Sequence, residues 1–169
     1  MRNSYINIVV ALLLFSGVAA AQQMQPFTSS EGRFSILLPG TPETYSSQID
    51  LGNGGHANLI QYLVRVDDSN LIYRVEYCDY PSSVIAGTPE AVLKAARDGN
   101  ADGFTITADA AIDLNGVPGR AFNLVDSQGN TFSIRQFLKG NRLYELEVEI
   151  QKGHDASLLD QFMKSFQIL

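Results

Sequence analysis

Six consecutive residues, Asp98-Gly99-Asn100-Ala101-Asp102-Gly103, put side-chain oxygens at alternate positions and a glycine where a cation-binding loop must bend, with Asp109 at the twelfth position. Oxygen ligands at that spacing suit calcium, so Asp98, Asn100, Asp102 and Asp109 form a candidate calcium set, the one cofactor in view. The pattern departs from a calcium loop in three ways. The eighth position is Thr105 rather than an apolar residue, the closing acid is shorter than glutamate, and a strand pattern rather than a helix follows. Asp, Asn and Gly also make ordinary helix-ending loops, and both readings stay open.

A second candidate is the ladder Glu145, Glu147 and Glu149. Alternate residues of a strand lie about 7 Å apart on one face, too far for neighbours to share a small cation unaided. The ladder therefore reads as a solvated face balanced by Arg135. Cys78 needs an adjacent base to act as a nucleophile. His56 and His154 are the only histidines, and no spacing brings either to the thiol. Arg120 shares parity with Phe122 and Leu124, the apolar side of its strand. A covered guanidinium needs a carboxylate, so Arg120 is either a structural ion pair or a ligand anchor. Serine-hydrolase elbows, HExxH and CxxC are absent from the sequence.

These residues need a scaffold, and Arg142–Gln151 supplies its clearest part. Tyr144, Leu146, Val148 and Ile150 alternate with the three glutamates, which is a strand with one oily side. Leu158, Leu159, Phe162, Met163 and Phe166 follow at helical spacing and suit a lid for that side. Earlier in the chain, 22–30 reads as a loose lead-in and 33–38 as a strand ending at the Pro39-Gly40-Thr41-Pro42 corner. Residues 43–51 read as an edge strand, and Gly52-Asn53-Gly54-Gly55 as a hairpin turn rather than a phosphate cradle, since a strand and not a helix follows. Strands over 57–66 and 71–78 complete a meander. Thr88-Pro89-Glu90 starts a helix with a hydroxyl cap, a proline at the first position and an acid near the dipole's positive end. Strands over 105–114, 120–125 and 131–138 come next. A three-residue loop, Lys139 to Asn141, would set Phe132 and Ile134 on the face of Leu146 and place Arg135 opposite Glu145. The pattern predicts an α+β fold, an antiparallel β-sheet flanked by helices.

Residues 1–21 combine a basic start, an apolar run IVVALLLF too short to span a bilayer, and an Ala-x-Ala ending, the parts of a secretory signal peptide cleaved after Ala21. Residues 22–169 then form a single domain, exported to the periplasm or secreted, with no membrane insertion after cleavage. The formal net charge of −6 repels nucleic acid and anionic lipid. One cysteine permits no intrachain disulfide, so the core must hold the fold.

The segments GRFSILLPGTPE at 32–43, IYRVEYCDYP at 72–81, KAARDG at 94–99, NGVPGRAF at 115–122 and NRLYELEV at 141–148, with the ending FMKSFQIL, resemble a group of uncharacterised exported bacterial proteins similar to the PsbP-like family. That resemblance implies an α/β/α sandwich over residues 27–169 and carries no catalytic residues. The expected function is a non-catalytic extracytoplasmic binding or accessory domain, its partner a protein or small ligand in the cell envelope. The alternatives are an enzyme with an acidic pocket, or a domain stabilised by calcium at 98–109.

Overall fold

The computed structural model describes residues 23–51 and 55–169. The expected signal segment and most of the glycine turn lie outside the described residues. The described chain runs β1 (Gln25–Ser29), β2 (Phe34–Leu38), β3 (Glu43–Asp50), β4 (His56–Val66), β5 (Leu71–Asp79), α1 (Pro89–Asn100), β6 (Thr105–Leu114), β7 (Val117–Val125), β8 (Thr131–Lys139), β9 (Arg142–Ile150), α2 (Leu159–Ser165) and β10 (Gln167–Ile168). The fold is α+β, as the alternation predicts.

Seven strands form one antiparallel sheet in the order β3-β4-β5-β9-β8-β7-β6, and β1, β2 and β10 form a smaller one with β2 in the middle. β9 is thus the central strand, joining the meander β3–β5 to the meander β6–β8. Its oily side is buried as expected: Tyr144, Leu146 and Val148 are almost wholly covered. The cover is shared. α2 contributes Phe162 and Met163, while the small sheet contributes Phe34, Ile36 and Leu38 to the same core. Phe34 is its hub, with ring centroids 5.8 Å from Tyr62, 6.2 Å from Tyr144 and 5.6 Å from Phe166. Such edge and tilted pairs add to the burial energy of the rings. β1 replaces the loose lead-in expected at 22–30. It is short and half polar, and pairing with β2 holds it in place.

On the opposite face α1 lies over β7 and β8. Its start follows the sequence: Thr88 Oγ1 accepts a hydrogen bond from the Ala91 amide at 3.3 Å, and Pro89 opens the helix. Leu93 packs there with Leu138 and Leu143.

The β8–β9 turn differs from expectation. It holds two residues, Gly140 and Asn141, because Lys139 pairs with Arg142. Gly140 takes φ 65°, which suits the first position of a tight hairpin turn. Phe132 and Ile134 therefore share the α1 face, where Ile134 clusters with Phe122 and Leu124. Arg135 stands opposite Leu146 and donates to the Met163 carbonyl of α2 at 3.0 Å, and Gln136 takes the place opposite Glu145. Apolar side chains on both faces of β8 removed the signal that would have fixed the register from sequence.

Candidate functional site

The two-residue turn lines up a polar row across the α1 face of the large sheet. Gln61 of β4 stands opposite Glu76 of β5, Glu76 opposite Glu145 of β9, Glu145 opposite Gln136 of β8, and Gln136 opposite Arg120 of β7. Two carboxylates facing each other across neighbouring strands repel. The row meets this partly with amides: Gln61 Nε2 donates to Glu76 Oε2 at 2.6 Å, and Gln136 Nε2 donates to Glu145 Oε2 at 2.7 Å. From the last residue of α1, Asn100 Nδ2 donates to the same Glu145 oxygen at 2.6 Å.

The glutamate ladder is accordingly not a solvated face. Glu145 and Glu147 are 9% and 7% exposed. Glu147 is ion-paired with Arg74, which also lies 3.9 Å from Glu76. Burial, reinforced by Glu76, raises Glu145 to about 8, so it holds its proton at neutral pH. Burial also raises Glu147, against the pull of Arg74.

Between this row and α1 lies a cavity of about 350 Å3. Its polar wall is Glu76, Glu145, Gln136 and Asn100, and its apolar wall includes Ile49, Leu59, Ala96 and Leu143. Exposed Gly99 lies at its rim. Gln136 is wholly buried, and its Oε1 has no hydrogen-bond partner. A buried acceptor without a donor is costly, on the order of 1–3 kcal/mol.

Cys78 and Tyr80 line the same cavity. Burial pushes the thiol up to about 11 and the phenol up to about 12. A thiol so disposed is a poor nucleophile. Neither histidine lines this cavity: His154 Nδ1 pairs with Asp67 Oδ2 at 2.8 Å, and His56 borders a separate hollow beside Asp79 and Arg142.

The calcium set is not gathered. Asp98 is ion-paired with Lys94 at 2.7 Å and Arg97 at 3.0 Å. Asp109 is gripped by Arg120 through Nε at 2.6 Å and Nη2 at 2.7 Å, and by Arg97 at 3.1 Å. Asn100 is turned to Glu145, and Asp102 is exposed. Among the described residues no group of three or more His, Cys, Asp or Glu is placed to hold a metal ion. Arg120, whose partner the sequence left unnamed, is bound to Asp109.

The sequence reading missed Glu76, Gln136 and Tyr80. One signal was present: Gln136 shares parity with Ile134 and Leu138, which marks a polar residue on a buried face.

No protein family's sequence profile matches the chain, and no curated protein matches it in sequence. Solved structures do. The chain is similar to cyanobacterial PsbP (CyanoP) from Synechocystis sp. PCC 6803, with 12% identity and a TM-score of 0.54 over 90% of this chain and 96% of that one. It also aligns with a Pseudomonas aeruginosa protein of unknown function (10% identity, TM-score 0.36, 76% and 83% covered) and with a Bacteroides thetaiotaomicron VPI-5482 protein (14%, 0.44, 88% and 49%). The first match gives the chain a PsbP-like fold. At such identity a shared fold says nothing of activity.

Proposed function

We propose, from the PsbP-like fold and the cavity under α1, that this protein is a non-catalytic extracytoplasmic binding domain whose ligand is a small molecule seated against Glu145 and Gln136. The observation that carries the reading is the cavity itself, on one wall of which Glu76, Glu145, Gln136 and Asn100 converge opposite apolar side chains. The volume falls in the range of small-molecule sites, and the lining is largely apolar with a few convergent polar groups. The export reading rests on residues 1–21, and among the described residues no helix is long and apolar enough to cross a membrane.

The test is ligand-observed NMR with a fragment library of mixed charge, run on the protein and on Gly99→Phe. A Cβ at Gly99 meets no atom within 4 Å, so a ring can be placed at the rim of the cavity without displacing backbone. Fragments that bind the parent and not the variant support the reading. A library in which no fragment distinguishes the two proteins overturns it.

A second reading, an enzyme using Glu145 as a general acid or base, draws on its elevated pKa of about 8, which suits proton transfer near neutral pH. Turnover of a cavity ligand, abolished by Glu145→Gln while the fragment still binds, would favour it.

A further inference from the structure

The cavity under α1 does not end at Leu143. A second cavity, of about 260 Å3, continues from it between α1 and the loop 81–86, and Tyr80, Ala96 and Leu143 line both. The loop is preformed: the Val84 N–H donates to the Pro81 carbonyl at 2.9 Å, and the Tyr80 N–H and carbonyl are both bonded to Asn141 of the β8–β9 turn. Nine residues line this outer cavity and none is charged. Four of them, Ala86, Ala91, Ala95 and Ala96, carry side chains too short to close the gap between helix and loop, so Ile85 and Val92 keep one side without packing partners. Val92 lines the outer cavity and Asn100 the inner one, eight residues apart on α1, or about 12 Å of helix. An extended chain advances about 1.2 Å per bond, so a groove of that length holds about ten bonds.

The lining also sets the ligand's charge. At neutral pH Glu145 keeps its proton, and burial holds the Cys78 thiol and the Tyr80 phenol neutral. Glu76, the remaining acid, takes a hydrogen bond from Gln61 and lies 3.9 Å from Arg74. An anion entering the groove would meet Glu76 and the negative end of the α1 dipole, and a cation would find Glu76 already drawn to Arg74. Either would leave its hydration shell for walls that do not replace it.

We propose that the two cavities form one channel for an uncharged lipid with a single linear chain of about ten carbons, its hydroxyl or ester end at the wall of Glu145 and Asn100 and its chain running beneath α1 to Val92. This rests on reading the inner cavity as a ligand site and adds the ligand's length, shape and charge. An apolar cavity that water does not favour takes an apolar molecule of matching shape, and a linear chain is the shape that passes between Ala96 and Leu143.

The experiment titrates n-butanol, n-hexanol, n-octanol and n-decanol into the protein at neutral pH, with octanoate and octylammonium as charged partners of octanol, and follows binding by NMR. Affinity should rise about fourfold per methylene through the alcohols, and each charged chain should bind about tenfold more weakly than octanol or worse. Ala96→Leu narrows the passage between the cavities and should weaken octanol about tenfold or more while leaving butanol unchanged. Ala95→Leu, at an exposed position that lines the outer cavity alone, should do the same and decides the matter where Ala96→Leu fails to fold. Ile106→Thr, which trims an exposed apolar side chain on β6, should change nothing, separating the groove from general stickiness. Affinity independent of chain length, a slope that both alanine variants leave intact, or a charged chain that matches octanol overturns this inference. The binding reading itself survives those results wherever the fragment comparison with Gly99→Phe is positive.

Discussion

Glu145 is a carboxyl group stored in its neutral form, and this gives it a measurable thermodynamic signature. Its native pKa stands above the ordinary glutamate value, so the folded state holds a proton that the unfolded state releases. Stability from this residue is full below the ordinary value of 4.5 and is lost as the pH climbs to about 8. Asp79 works in the opposite sense. Its hydrogen bonds with Arg142, at 2.7 and 2.5 Å, hold its pKa low, so its contribution is present at neutral pH and lost in acid. Thermal denaturation across pH should show Glu145→Gln gaining on the parent as the pH rises from 5 to 8, by on the order of a few kcal/mol at the upper end. A constant difference between the two would mean that Glu145 is ionised in the native state. Little of this was legible in advance. A glutamate between Tyr144 and Leu146 reads as the wet half of an alternating strand, and only the neighbours from α1 and β8 make it dry.

Strands and turns show where sequence patterning suffices. The alternation in β9, the Thr88-Pro89 helix start and the amphipathic spacing of α2 each specify their element, because one face of each is unambiguous. β8 carries Ile134 and Leu138 on one side and Phe137 on the other, so a one-residue change in turn length exchanges its faces at no visible cost in pattern. β1 and β10 are held by pairing with β2, which no local signal announces. A feature of β7 helps to fix the actual register. A Cβ on Gly119 would sit 2.5 Å from both the Gln136 carbonyl oxygen and the Phe137 ring, so bare backbone is needed where β7 meets β8. Gly119→Ala should destabilise the protein by about 2 kcal/mol or more, read as a lowered denaturation midpoint, and should loosen Gln136 with it. An unchanged midpoint would mean that β7 and β8 can separate at this point without penalty.

At the scale of the molecule, the two meanders are joined within the large sheet only through β9. β3, β4 and β5 lie on one side of it and β8, β7 and β6 on the other, with no direct ladder between β5 and β8. A chain ending at Asn141 should therefore show no cooperative thermal transition, although it retains most of the strands; a sharp melt would show that the halves join without their bridge. The partner of β9 on one side precedes it by 63 residues at Asp79 beside Arg142 and by 79 at Leu71 beside Ile150, so its docking closes a long loop. The keystone of the arch is also among the last stones cut. Until it emerges, the strands made before it have no shared spine, and the two halves of the sheet wait side by side without a seam.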